Sequence, residues 1–380
     1  MTTKTLIIGA GPAGLAMAGQ LAHRNLPFTI LEASDYIGFS WRNHYDRLHL
    51  HTVKQYSALP HLPYPADYPT YPSRIQVVEY LEQYAEQFNI KPHFNQQVTH
   101  ISRNPADGTW QVQTTTDLFI AERVVVATGY NRVPNAPELP GQRNFRGIIW
   151  HSHEYRNSSP FRNENVLIVG MGNTGAELAL DLFENGATPF ISVRGPVNII
   201  GREVFGRPAQ PIAIQLNKLP NWLYDFIAGL SQRLNIGDVS AYGLGKPTHA
   251  PTYDFRRGKI PVIDVGTLAQ IKAGNVTVLP GIERINAKTV TFLDGRELSF
   301  DAIILATGYR PALASLLDDK LVANVLNERG YPKKCWFDAT DLRGLYFVGF
   351  TTPVTGVLYH LAVDSEKIAR HISENNSISA

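Results

Sequence analysis

The sequence predicts an α/β protein built from two units of one plan, the second inserted in the first. Three observations carry that expectation. A glycine-rich turn follows a short apolar run at the start of the chain, and a second such turn recurs near the middle. Each unit then closes on the same tetrapeptide, ATGY. At 380 residues the chain also exceeds the size at which one core stops growing.

The elements follow in order. TKTLIIG, Thr3 to Gly9, is a short β-forming run; GAGPAG is the turn, and LAMAGQLAHR has a helical pattern. PFTILE, Pro27 to Glu32, reads as the next strand and ends in an acid. The second unit repeats this with NVLIVG (Asn165 to Gly170), GMGNTG, AELALDLFENG and PFISVR (Pro189 to Arg194). G-x-G-x-x-G between strand and helix marks a Rossmann-like dinucleotide-binding unit, and two in one chain are far more specific than one. Gly9 and Gly170 allow the tight turn, Gly11 and Gly172 let the backbone approach a pyrophosphate, and Gly14 and Gly175 let helix and strand pack. The phosphate then sits on free N–H groups at the helix start.

Each unit continues alike. DGTWQVQT precedes ERVVVATGY, and KTVTFLDGRELSF precedes DAIILATGYR, so an Asp-Gly hairpin leads into a strand in both. GLYFVGFTTPVTGVLYHLAVDSEKIARHI reads as a last strand and helix returning to the first unit. The expected domains are residues 1–155 with 311–380, and residues 156–310.

The strand ends assign the nucleotides. Glu32 lies 23 residues after Gly9, where a carboxylate accepts from ribose hydroxyls; that suits FAD or NAD and repels a 2′-phosphate. Arg194 lies 24 residues after Gly170, and a guanidinium there suits the 2′-phosphate of NADPH. The reading is FAD in the first unit and NADPH in the second.

Several classes are set aside. Net charge is +2 with both signs interspersed, which argues against nucleic acid as a partner. No run of about 18 apolar residues predicts a membrane span. The apolar N-terminus reads as strand, turn and helix, not as a signal segment. The single cysteine, Cys335, permits no intrachain disulfide, suits a cytoplasmic protein, and leaves a dithiol reductase without its second thiol. Two His-x-His pairs, His49 with His51 and His151 with His153, would each point one way on a strand. With Asp46 or Glu154 they would approach a 2-His-1-carboxylate set; the expectation is no metal.

Phe145, Gly147, His151 and Tyr155 fit F-x-G-x-x-x-H-x-x-x-[FY], the fingerprint of class B flavin monooxygenases, between the two glycine turns. The stretches YDRLHLHTVKQYSALPHLPYPADYPTYPS, VVVATGY, GKIPVIDVGTLAQIKAGNV and ILATGYRP resemble the YUCCA-type branch of that family. The resemblance runs from about residue 3 to about 372. It implies a glutathione-reductase-like fold with an NADPH domain inserted in an FAD domain. It implies an enzyme in which a C4a-(hydro)peroxyflavin inserts one oxygen atom of O2 into a small organic substrate. Indole, amines, sulfides and 2-oxo acids such as indole-3-pyruvate are the classes. The alternative is an NADPH-dependent flavin reductase passing electrons to a partner protein. A homodimer is compatible with the sequence.

On this resemblance Pro12, Ala13, Ser40, Trp41, Thr52, Val98, Ala127, Thr128, Gly129 and Gly349 join the cofactor set. So do His151, Asn173, Thr174, Ala306, Thr307 and Gly308. His51, Lys54 and Asn173 are the implied catalytic residues. His51-Thr52-Val53-Lys54 stands where amine- and sulfide-oxygenating members carry Asn, two small residues and Lys, so oxygen activation is expected to be arranged differently. Pro60, Pro63, Pro65, Pro69 and Pro72 make a rigid loop, which the family places near the substrate entrance.

Arg194→Ala should weaken NADPH binding by about 1.5–3 kcal/mol, the worth of a hydrogen bond to a charged group. NADPH titrations should show roughly a ten- to hundredfold loss, with NADH little affected. Equal losses for both nucleotides would contradict the assignment.

Overall fold

The computed structural model of the protein describes residues 1–337 and 339–376. The first sheet contains β1 (Thr2–Ile8), β2 (Thr29–Leu31), β3 (Val98–Arg103), β4 (Trp110–Thr114) and β5 (Leu118–Val126), in the order β2-β1-β5-β4-β3. Thr5 to Ile8 are all buried, as a strand covered on both faces requires. β1 pairs in parallel with β2 and with β5. β3 and β4 form an antiparallel hairpin whose turn holds Asp107 and Gly108, the latter at φ +72°. β4 reaches only the first half of β5; Val124–Val126 instead pair in parallel with the returning strand Leu345–Phe347.

The second sheet is parallel throughout. Its strands run, edge to edge, Thr277–Leu279, Thr188–Ser192, Asn165–Val169, Ala302–Leu305 and Ile148–His151. All of Ala302–Leu305 is buried. The hairpin Thr289–Phe292 with Glu297–Ser299 precedes that strand and turns through Asp294 and Gly295.

Each glycine turn leads into a helix of the same length. Helix α1 (Pro12–His23) starts with Gly11 at its N-cap and Pro12 in its first turn, where a missing N–H costs nothing. It is apolar nearly all round because the sheet covers one side while helices Arg74–Gln87 and Val357–Asn376 cover the other. An Arg24–Glu366 ion pair at 3.2 Å fastens the last helix to it. The helix Asn173–Glu184 starts after Gly172 in the same manner. In the second unit, between the glycine helix and the hairpin, lies an insertion with no counterpart in the expected plan, carrying helices Ala209–Leu216, Asn221–Asn235 and Pro251–Arg256.

Two crossings join the sheets. Val133–Pro134 pairs antiparallel with Tyr309–Arg310, so the segments after both ATGY turns run side by side. Asn135 knots them: its N–H donates to Gly308 O at 2.9 Å, and Thr307 Oγ1 donates to Asn135 O at 2.6 Å. No helix among the described residues is long and apolar enough to cross a membrane.

Gly14 and Gly11 separate packing from binding. A Cβ on Gly14 would stand 1.8 Å from Gly9 O, whereas one on Gly11 would meet nothing within 4 Å. Gly14→Ala should therefore destabilise the ligand-free protein by about 1–3 kcal/mol, visible as a drop of several degrees in Tm. Gly11→Ala should keep that Tm and lose the nucleotide. Equal drops in Tm would refute the distinction.

Candidate functional site

The first turn is a cradle of backbone. Gly9 takes φ +106°, donates to Leu31 O at 2.7 Å, and presses on Ala127 O so closely that a Cβ would stand 2.8 Å from it. Glu32, buried at the end of β2, accepts from Ala10 N at 2.7 Å and from Ser34 N at 2.9 Å. The acid thus stiffens the turn while standing where ribose would lie. Ala13 is buried at the helix start, and Gly349 (φ +85°) fits against it, since a Cβ there would stand 2.9 Å from Ala13 Cβ. Thr128 Oγ1, in the first ATGY turn, is buried with no hydrogen-bond partner, and Gly129 beside it is open. Buried orphan hydroxyls are uncommon, so this one has room for a ligand acceptor or donor.

Nearby residues differ in role. Val98 opens β3 with a buried side chain, two residues after Gln96, whose N–H donates to Glu32 O at 2.9 Å. Ser40 is exposed on the short helix Phe39–Arg42, which Gly38 N ties to Ala10 O at 3.1 Å. Trp41, on the same helix, packs against the cores of both units. Thr52 shares a 2.8 Å hydrogen bond with Ser57.

The second turn repeats the cradle. Gly170 takes φ +103°, Gly175 approaches Gly170 O to within 2.1 Å of where its Cβ would stand, and Gly172 faces open space. Ala306 packs on Gly175, and Thr174 is half-buried at the helix start. Arg194 is exposed at the end of its strand and has no acidic partner among the described residues. Such a cation is free to meet a phosphate.

His151 links the fingerprint to the second ATGY turn. Its Nε2 contacts Gly308 O at 3.1 Å; a carbonyl only accepts, so Nε2 carries the proton. Nδ1 then accepts from His153 N at 3.1 Å. Burial lowers its pKa from the usual histidine value, in keeping with a neutral ring. Both nitrogens are occupied, which leaves none for a metal. His49 turns away to Arg47 O at 2.7 Å while His51 meets an acid, so that pair does not converge either. Among the described residues no cluster of three or more potential ligands is arranged to hold a metal ion.

Two of the implied catalytic residues make structural contacts. Lys54 Nζ donates to Pro65 O at 3.1 Å, Ala66 O at 2.8 Å and also Tyr68 O. An ammonium has three protons, and all three are taken by the proline-rich loop, so Lys54 is a loop anchor. Asn173 is occupied in both directions: Oδ1 accepts from Ile263 N at 2.6 Å, and Nδ2 donates to Pro261 O at 3.3 Å. It fastens the helix to the strand Val262–Asp264, with one N–H and one lone pair of its amide still unused.

His51 remains, and the structure supplies partners the sequence did not. Its Nε2 lies 2.6 Å from Glu177 Oε1, and Tyr45 OH donates to the same oxygen at 3.0 Å. Glu177 is 3% exposed and Tyr45 3%. Burial, with Glu177 second, raises the Tyr45 pKa well above the usual phenol value. Burial pushes the neighbouring His44 down to about 4 against the opposing pull of Glu177. A second missed residue is Gln210, buried in the insertion. It accepts from Val53 N at 2.9 Å and donates to Thr355 O at 2.7 Å, joining three distant segments beside Thr52. The acids at 177, 181 and 184 share one helix face, the spacing that could have flagged Glu177.

A family model described as "Pyridine nucleotide-disulphide oxidoreductase" matches residues 6–199. The only cysteine, Cys335, lies outside that span. The chain is 36% identical to the probable indole-3-pyruvate monooxygenase YUCCA3 of Arabidopsis thaliana, over 97% of this chain and 86% of that protein. Among solved structures, a flavin-containing monooxygenase from Stenotrophomonas maltophilia superposes with TM-score 0.74 at 21% identity, covering 98% of this chain and 99% of that one. An oxidized steroid monooxygenase bound to NADP superposes with TM-score 0.77 at 18% identity, covering 100% and 87%. At these identities the two structures speak for the fold.

Proposed function

The chain belongs to the YUCCA-type flavin monooxygenases, and from that premise we propose how its two glycine turns divide the work of an FAD- and NADPH-dependent oxygenation. The carrying observation is the pair of open positions at Gly11 and Gly172. Each stands at a helix start whose neighbouring glycines are tightly packed, so the space is kept for something other than protein. FAD lies on the first cradle, with Glu32 at its ribose and Thr128 beside it. NADPH lies on the second, with Arg194 at the 2′-phosphate. Because Ile148–His151 pairs within the second sheet, the boundary of the second unit is drawn ahead of residue 148, earlier than the one expected after residue 155.

When bound, the cofactors supply hydride transfer and the activation of O2 for transfer of one oxygen atom. The chain supplies the rest. His151 holds the second ATGY turn against the fingerprint strand, which sets the depth of the NADPH cleft. Trp41 fills the seam between the units and excludes water there. His51 lies beside that seam, where an imidazole can give or take a proton at the reacting oxygen. The substrate class follows the relatives: a 2-oxo acid of the indole-3-pyruvate kind, decarboxylated as oxygen is transferred.

Oxygen uptake with NADPH should be measured on indole-3-pyruvate, an amine and a sulfide, with H2O2 followed in parallel. The 2-oxo acid should consume O2 with little H2O2, and His51→Ala should raise the H2O2 share severalfold. NADPH oxidation yielding only H2O2 with every substrate would overturn the monooxygenase reading. Unchanged coupling would remove His51 from the chemistry.

A further inference from the structure

Three acids along one helix tie the two units together through four contacts. Tyr45 OH and His51 Nε2 meet Glu177; Tyr155 OH donates to Asp181; and Arg47 pairs with Glu184. Segment 45–51 belongs to the first unit and Tyr155 to the fingerprint, so this face of the helix Asn173–Glu184 docks the whole seam. Asp46 adds to it, its N–H donating to Arg156 O at 2.8 Å and its carboxylate pairing with Arg74 at 3.0 Å. Of the three acids only Glu177 is both nearly closed to solvent and in contact with an imidazole.

A carboxylate accepts hydrogen bonds and donates none, so the proton between His51 and Glu177 sits on Nε2. In the neutral ring that leaves Nδ1 as a bare lone pair, and Nδ1 has no hydrogen-bond partner among the described residues. A buried acid behind one ring nitrogen fixes which nitrogen faces the reaction, as second partners of metal-bound and catalytic histidines do. The helix carrying Glu177 is also the one whose start, at Gly172, faces the open position of the second cradle. Glu177 lies about one turn in from that start.

We propose that Glu177 is a positioning residue for oxygenation: it holds His51 as the Nε2–H tautomer and couples that ring to the helix that seats NADPH. The proposal rests on the reading of His51 as a proton-handling group and goes one residue beyond it. Tyr45 shares the carboxylate oxygen and keeps it from turning away. A nucleotide that shifts the helix start moves Glu177, and His51 with it, as one rigid body.

Two measurements test this on the flavin-loaded enzyme. The 15N shifts of the His51 imidazole, assigned with His51→Gln, should show a protonated Nε2 and a bare Nδ1; a ring protonated on Nδ1 overturns the proposal whatever any variant does. In a double-mutant cycle, Glu177→Gln should cut product formation about tenfold, the order of a lost charged hydrogen bond. Flavin content and the KM for NADPH should hold, and Glu184→Gln should leave the H2O2 share unchanged. In the His51→Gln background, Glu177→Gln should have no further effect. Independent, multiplying losses would show that Glu177 does not act through His51. If wild-type enzyme turned out to reduce no flavin with NADPH, the monooxygenase reading would fail while the ring measurement still decided the pair.

Discussion

A carboxylate buried where two folded units meet cannot be left alone, and that constraint organises this molecule around Glu177. Breaking a buried charged contact by removing one partner costs about 3–5 kcal/mol. That is a large part of the roughly 5–15 kcal/mol that holds a typical domain together. Segment 45–51 is therefore held to the helix Asn173–Glu184, and the two sheets keep a fixed relation to each other. Trp41 fills the same seam with apolar area, and the paired strands after the ATGY turns close it from the other side. These contacts hold the helix Asn173–Glu184, and with it the second glycine turn, against segment 45–51.

One backbone device recurs in both units, and under the proposed placement the charge that tells the nucleotides apart stands outside it. Gly9 to Gly14 and Gly170 to Gly175 have nearly the same conformation, with φ of +106° and +103° at the leading glycine. What differs is the end of the following strand. Glu32 is buried and engaged with the turn, so a phosphate beside it would meet an uncompensated negative charge. Arg194 is exposed and has no acidic partner among the described residues, so a phosphate there would gain a charged partner at small desolvation cost.

The strands, the glycine turns, the hairpins and the returning C-terminal segment were legible because each is written in a few neighbouring residues. Gly-x-Gly between an apolar run and a helix is local, and so is an Asp-Gly turn. What stayed hidden depends on residues far apart in the chain. Lys54 looked like part of a catalytic tetrapeptide until its ammonium was found among the carbonyls of the proline-rich loop. Asn173, implied as a catalytic and NADPH-binding residue, also bonds to Pro261 and Ile263, 88 and 90 positions away. Glu177 and His51 are separated by 126 positions, and Gln210 and Val53 by 157, so no periodicity connects them. The two His-x-His motifs divide in the same way: His51 and His151 reach Glu177 and Gly308 far along the chain, while His49 turns to Arg47 two residues away.

The central claim is that flavin and nicotinamide meet across this seam. Its most direct test is anaerobic: purified, flavin-loaded protein is mixed with NADPH in a stopped-flow cell while flavin absorbance is followed. The account predicts rapid bleaching by NADPH, much slower bleaching by NADH at the same concentration, and a return of the colour when air is admitted. Flavin that stays oxidised with NADPH, or bleaches equally with both nucleotides, would contradict it.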